Sequence, residues 1–92
     1  MISCEAERCT VQGPLTMRNA TAVLEESARL FTGPRVVVDL AGVTEVDSAA
    51  VSLLLEWRRE AARANRRIEF ANLPANLKSL ADLYGVSDLV GA

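Results

Sequence analysis

Apolar residues recur along this chain at two spacings, every second position in some stretches and every third or fourth in others. Ile2 to Gln12 alternates as a short hairpin would, with Glu5-Ala6-Glu7 as its turn and Cys9-Thr10-Val11 opening the better strand. Gly13-Pro14 is expected to end that strand, because proline offers no ladder donor and glycine permits a bend. From about Arg18 to Phe31, the positions Ala20, Val23, Leu24, Ser27, Leu30 and Phe31 fall on one helical stripe. Thr16 is its predicted N-cap and Gly33-Pro34 its stop. Arg35-Val36-Val37-Val38-Asp39-Leu40 is an unbroken β-branched run, predicted as a central strand buried on both faces. Ala41 to Val46 follows as a loop with Val43 and Val46 free to anchor it. A second helix, about Ser48 to Ala64, buries Ala50, Leu53, Leu54, Trp57, Ala61 and Ala64 and turns Glu56, Arg59, Glu60 and Arg63 outward. Arg67 to Ala71 alternates as a strand. Asn72-Leu73-Pro74 starts a third helix with the stripe Leu77, Leu80, Ala81 and Tyr84, ending at Gly85 as the C′ residue. Val86 to Val90 is predicted as a short terminal turn of helix.

The order β-β-α-β-α-β-α calls for right-handed crossovers between parallel strands, and so for an α/β domain with a mixed, mostly parallel four-stranded sheet carrying three to four helices. At 92 residues the chain is expected to be one domain, residues 1–92. Half of the residues are hydrophobic but only Trp57, Tyr84, Phe31 and Phe70 are aromatic, so the core rests on Val, Leu, Ile and Ala.

Charge and chemistry narrow the function classes. A net charge of −2 gives no pull toward nucleic acid or anionic lipid. The N-terminus has neither the basic start nor the apolar stretch of a signal peptide, and no apolar run approaches the ~20 residues of a membrane span, so a cytosolic protein is expected. Cys4 and Cys9 are too few for a disulfide framework or a four-ligand zinc site. With a two-residue turn at Ala6-Glu7 they would face each other across the hairpin, either as a cross-strand disulfide or as two ordinary strand thiols. There is no histidine, which removes the commonest general base and metal ligand. No two carboxylates are fixed as an acid/base pair, Asp39 and Asp47 coming closest, and no glycine loop cradles a phosphate. No catalytic residue, metal or cofactor is therefore expected. Five arginines between Arg58 and Arg67 could form an anion patch, but Glu56 and Glu60 interleave with them and a solvated helix face explains them better.

The informative segment is Val46-Asp47-Ser48-Ala49-Ala50-Val51, where the chain leaves the carboxyl end of the central strand for the second helix. Asp47 or Ser48 is the expected N-cap. The alanines let another chain approach closely, and the first turn carries no acid beyond Asp47, so the positive helix pole is only partly offset.

Val36-Val37-Val38-Asp39-Leu40, then Val43-Thr44-Glu45-Val46-Asp47-Ser48, then an apolar helix, resembles the STAS domain family, found in anti-sigma factor antagonists and in the cytoplasmic tails of sulfate transporters. The tail, Phe70-Ala71-Asn72-Leu73-Pro74 through Leu80-Ala81-Asp82-Leu83-Tyr84-Gly85-Val86, is similar to that of the MlaB-like STAS proteins, accessory subunits of lipid-asymmetry ABC transporters. That resemblance implies a STAS fold without enzymatic activity. It also implies a cytoplasmic place, peripheral to the inner membrane through a partner. The partner would be a transporter ATPase subunit (MlaF-like), linked through it to the membrane permease, with no nucleic acid and no direct membrane insertion. The contact would fall on Asp47, Ser48, Ala49, Ala50 and Val51 with the neighbouring loop at Leu15 and Thr16. The family's hydroxyl falls on Ser48, which in anti-sigma factor antagonists is a phosphorylation site for a serine kinase that doubles as anti-sigma factor. Where many members continue with Ser-Gly or Gly-Gly, this chain has Ala49-Ala50, which fits a constitutive docking surface better than a phosphorylation switch.

Overall fold

The computed structural model describes residues 1–90; the last two positions of the predicted domain, Gly91 and Ala92, lie outside the described residues. Strands β1 (Ile2–Glu5) and β2 (Arg8–Leu15) form the hairpin, followed by α1 (Ala20–Leu30), β3 (Arg35–Val46), α2 (Ser48–Arg63), β4 (Arg67–Ala71), α3 (Ala75–Leu83) and α4 (Ser87–Val90). The sheet order is β1-β2-β3-β4, with β1 antiparallel to β2 and the remaining pairs parallel. This is the α/β arrangement that the strand and helix periodicities predict.

The sheet is longer than expected at one end. Gly13-Pro14 does not terminate β2, and Ala41 to Val46 is not a loop: β2 runs to Leu15 and β3 to Val46, still paired. Thr10 pairs with Asp39 but Gln12 with Gly42, and Gly13 pairs with Val43 but Leu15 with Val46. In each interval β3 fits one extra residue against β2, which is a bulge. Gly13, at φ +90°, makes its bend without leaving the ladder. At Gly42 a β-carbon would come within 3.2 Å of the Val11 carbonyl oxygen and 3.0 Å of Gln12 Cγ, a crowding that a side chain there could relieve only by displacing its neighbours by a few tenths of an ångström.

Helices cover one face of the sheet. Val36, Val38 and Leu40 are buried against them, whereas Arg35, Val37 and Asp39 point the other way and are only half-buried, so β3 is not buried on both faces. Ion pairs occupy the bare face: Arg8 with Asp39 at 2.8 Å, and Arg35 with Glu69 at 2.7 Å and Glu7 at 2.9 Å. At the centre of the covered side lies Trp57, its ring centroid 5.3 Å from that of Phe31 and 6.4 Å from that of Phe70. Its indole Nε1 donates to Ser27 Oγ at 2.7 Å, and that hydroxyl donates to the Leu24 carbonyl at 2.7 Å. The one buried polar side chain of α1 is thus satisfied on both sides.

The helix ends follow local rules with some shifts. Thr16 is not the N-cap of α1; Asn19 holds that position, and its Oδ1 accepts from the Thr16 N–H at 2.9 Å. Helix α2 ends at Arg63, one residue early, leaving Ala64 exposed at the C-cap. Asn65 then takes a positive φ, and the Arg66 N–H bonds back to the Ala61 carbonyl. Gly85 is the C′ residue of α3 as expected, with the Val86 N–H on the Ala81 carbonyl. Leu30 and Tyr84, placed on buried stripes by their spacing, are 37% and 53% exposed. Each sits where its helix stops, so the helical angle no longer carries it inward; Phe31 turns in instead of Leu30. Cys4 and Cys9 are opposed in register and bonded as a disulfide. Among the described residues no helix is long and apolar enough to cross a membrane.

Asp39 ties the bare face together. Its carboxylate accepts from the Ala41 N–H, from Asn72 Nδ2 and from Arg8 Nη2, in that order of effect, and these hold its pKa below the ordinary 3.8. A depressed carboxylate pKa contributes stability above the unfolded value that is lost as pH falls through the folded one. The protein is therefore expected to lose more stability between pH 5 and pH 2 than an Asp39→Asn variant does. Urea titrations of both across that range check this; parallel curves would show that Asp39 carries no such linkage.

Candidate functional site

The two bulged strands deliver the site. Leu15 and Val46 are paired at the carboxyl end of the sheet, so the chain leaves β2 for α1 and β3 for α2 side by side. Asp47 sits between the two exits. Its N–H donates to the Leu15 carbonyl at 3.4 Å. Its Oδ1 accepts from the Ala49 N–H at 2.9 Å, which is the N-cap bond of α2, and its Oδ2 accepts from the Met17 N–H at 3.0 Å. One carboxylate therefore caps a helix and fastens the neighbouring loop. Asp47 and not Ser48 is the cap, and Ser48 becomes the first helical residue.

The seven residues expected at a contact divide in two. Ser48 is exposed, and Thr16, Asp47 and Ala49 are partly so. Leu15 and Ala50 are completely buried and Val51 is 4% exposed. These three belong to the core and offer a partner no surface, because β2 extends to Leu15 and because Ala50 and Val51 lie on the inward side of α2. They support the site from beneath.

Sequence reasoning missed Met17. It is 78% exposed, on the loop that Asp47 holds. With Ala20, Leu24, Ser48, Ser52 and Leu55 it lines a groove of about 610 Å³ between α1 and α2. Its spacing from Ala20 and Leu24 puts Met17 on the extrapolated α1 stripe, which hides it among core positions. The signal against that reading is Asn19, a helix-starting residue two positions later. Glu56 and Arg59 form an ion pair within the groove wall. The first turns of α1 and α2 hold no acidic side chain, so both positive helix poles meet at this end of the molecule with Asp47 as the cap of one. The arginine run does not gather into a patch: Arg59 and Arg63 engage Glu56, Arg66 Nε donates to the Gly33 carbonyl at 2.8 Å, and Arg67 is on the sheet.

Residues 2–91 match the protein family described as Mlab, STAS domain. The chain belongs to the STAS domain family. Over 52 residues it is 33% identical to the intermembrane phospholipid transport system binding protein MlaB of Haemophilus influenzae, a match covering 56% of this chain and half the length of that relative. Its fold is that of the anti-sigma factor antagonist SpoIIAA in its unphosphorylated form, with a TM-score of 0.75 at 16% identity over 98% of this chain and 84% of that one. SLC26A9 contains the same fold, with a TM-score of 0.75 at 16% identity over 88% of this chain and 16% of that one. The elements of this STAS domain that build the groove, β2 through α2, are therefore family architecture.

Proposed function

We propose that this STAS domain is a non-enzymatic adaptor that binds the cytoplasmic ATPase of a phospholipid-transporting ABC system and supports its assembly or activity. It reaches the inner membrane only through that partner and the permease. The contact is the exposed start of α2, at Ser48 and Ala49, with Thr16, Met17 and the α1–α2 groove beside it. The single observation that carries the reading is Ser48 standing exposed at an open groove with Met17, Ala20, Leu24 and Leu55 along an apolar wall and Glu56 and Arg59 paired at its side. The name of the Haemophilus influenzae relative, a binding protein of an intermembrane phospholipid transport system, supports the lipid-transport setting. A small hydroxyl beside small side chains lets a partner close over the apolar wall, and burial of that wall supplies the affinity.

The test is Ser48→Arg. Because Ser48 is exposed and Asp47 supplies the cap, thermal unfolding should be unchanged, while co-purification with the ATPase should fall by at least about a hundredfold, the cost of a charge forced into an apolar contact. Undiminished co-purification would remove this site. The second reading, an anti-sigma factor antagonist regulated at Ser48, draws on the accessibility of the same hydroxyl, where a phosphate would add about −1.5 to −2 charges. Incubation with a cognate serine kinase and ATP should then place one phosphate on Ser48, and an unmodified protein after exposure to the kinases encoded nearby discards that reading.

A further inference from the structure

We propose that Cys4 and Cys9 form a reversible thiol–disulfide couple that locks the edge strand β1 onto the sheet. This is independent of the docking surface, since the hairpin turn lies at the opposite end of β2 from Leu15.

The backbone already holds the two sulfurs together. Cys4 and Cys9 are directly opposed with 4.0 Å between their Cα atoms. Met1 and Gln12 exchange backbone hydrogen bonds, so by alternation Ser3 with Thr10 is a hydrogen-bonded pair and Cys4 with Cys9 one of the closer pairs between them. The bond can open and close without any strand changing register. Access is one-sided. Cys9 is 2% exposed, whereas Cys4 is half-buried on a strand with a single neighbour. An incoming thiolate therefore reaches Cys4.

The strand being locked has few other holds. Of its four residues only Ile2 and Cys4 face the core. Beyond the ladder, Ile2 N–H donates to Glu26 Oε1 at 3.2 Å. With the bond open, Ile2 is the only fully buried side chain that keeps β1 in place, and β1 frays to expose the outer edge of β2. The chemistry balances with the glutathione pair. A glutathione thiolate attacks the Cys4 sulfur, the S–S bond breaks, and the Cys9 thiolate departs and takes a proton from water. A second glutathione thiolate attacks the mixed disulfide, releasing the Cys4 thiol and glutathione disulfide. Two electrons pass from two glutathione molecules into the pair, and oxidation is the reverse.

The experiment equilibrates the full chain in buffers from fully reduced to fully oxidised glutathione, counts thiols by maleimide mass shift after acid quench, and follows amide exchange by NMR. The expected result is a two-electron titration within that range. In the reduced protein, exchange at Ser3 and Thr10 should be faster by roughly thirtyfold, which is what loop-closure entropy gives for so short a ring. Exchange at Val38, on the central strand, should be unmoved. Cys4→Ser should exchange like the reduced protein. A pair that stays bonded, or stays open, at every glutathione ratio overturns the couple. Equal exchange at Ser3 and Thr10 in both forms, or a Cys4→Ser variant that exchanges like the oxidised protein, overturns the lock.

Discussion

Alanine in place of Trp57 is expected to remove about 3–5 kcal/mol of stability, a large part of the ~5–15 kcal/mol that a domain of this size possesses. Trp57 is 2% exposed and stands where three elements converge: Phe31 at the end of α1, Phe70 on β4, and α2 itself. The chain has no second tryptophan and few other aromatics, so nothing nearby can fill the space. Alanine also removes the indole donor at 2.7 Å from the Ser27 hydroxyl, which keeps only its own bond to the Leu24 carbonyl. Trp57→Phe separates packing from hydrogen bonding. It keeps most of the ring contacts, leaves Ser27 its bond to the Leu24 carbonyl, and should cost about 1–2 kcal/mol. Urea unfolding followed by circular dichroism reads both variants. A Trp57→Ala midpoint equal to that of the parent would mean that the core is centred elsewhere.

Asp47 is expected to fail in two separable ways. Asparagine retains a single acceptor oxygen, while two N–H groups, those of Ala49 and Met17, need one each. Asp47→Asn therefore leaves one donor facing an amide NH2, and a loss of about 1–2 kcal/mol follows. Asp47→Ser divides the duties. Serine is a good N-cap and restores the bond to the first turn of α2, but its hydroxyl is too short to reach Met17 as well. Thermal stability should recover to within about 0.5 kcal/mol of the parent, because the released Met17 N–H is exposed and bonds water, while affinity for the proposed ATPase partner stays reduced about tenfold because the loop carrying Met17 is released. Full affinity in Asp47→Ser would show that holding this loop plays no part in docking.

Much of this architecture is legible along the chain because single residues settle single features. The β-branched run at Val36 to Val38, the helix stop at Gly33-Pro34 and Gly85 after α3 each have one physical reading. The far half of β3 is not legible for an equally specific reason. Leu40 and Val43 are buried and Val46 half-buried, yet they are three residues apart, because each bulge inserts a position between inward side chains. That spacing matches neither a strand's period of two nor a helix's 3.6, and it reads as loop. For the same reason Leu15 reads as loop together with Thr16, although it is the last residue of β2. At the site, Asp47 and Ser48 are found from motif spacing, but the second bond of the Asp47 carboxylate, accepted from the N–H of Met17 thirty residues away, is not. Contacts of that range leave no local trace.

The two bulges of β3 also bear on how a chain of this build can change length. An added or missing residue inside a core strand ordinarily reverses every side chain beyond it. At a bulge it does not, since the partner strand is matched on both sides of the surplus position whether or not that position is filled. Thr44 and Glu45 are exposed and lie between the paired positions Val43 and Val46, so either could be lost without shifting Asp47 relative to Leu15. One-residue gaps between homologous chains, normally confined to surface turns, are therefore to be expected here inside paired strands, immediately before the helix start proposed as the docking site.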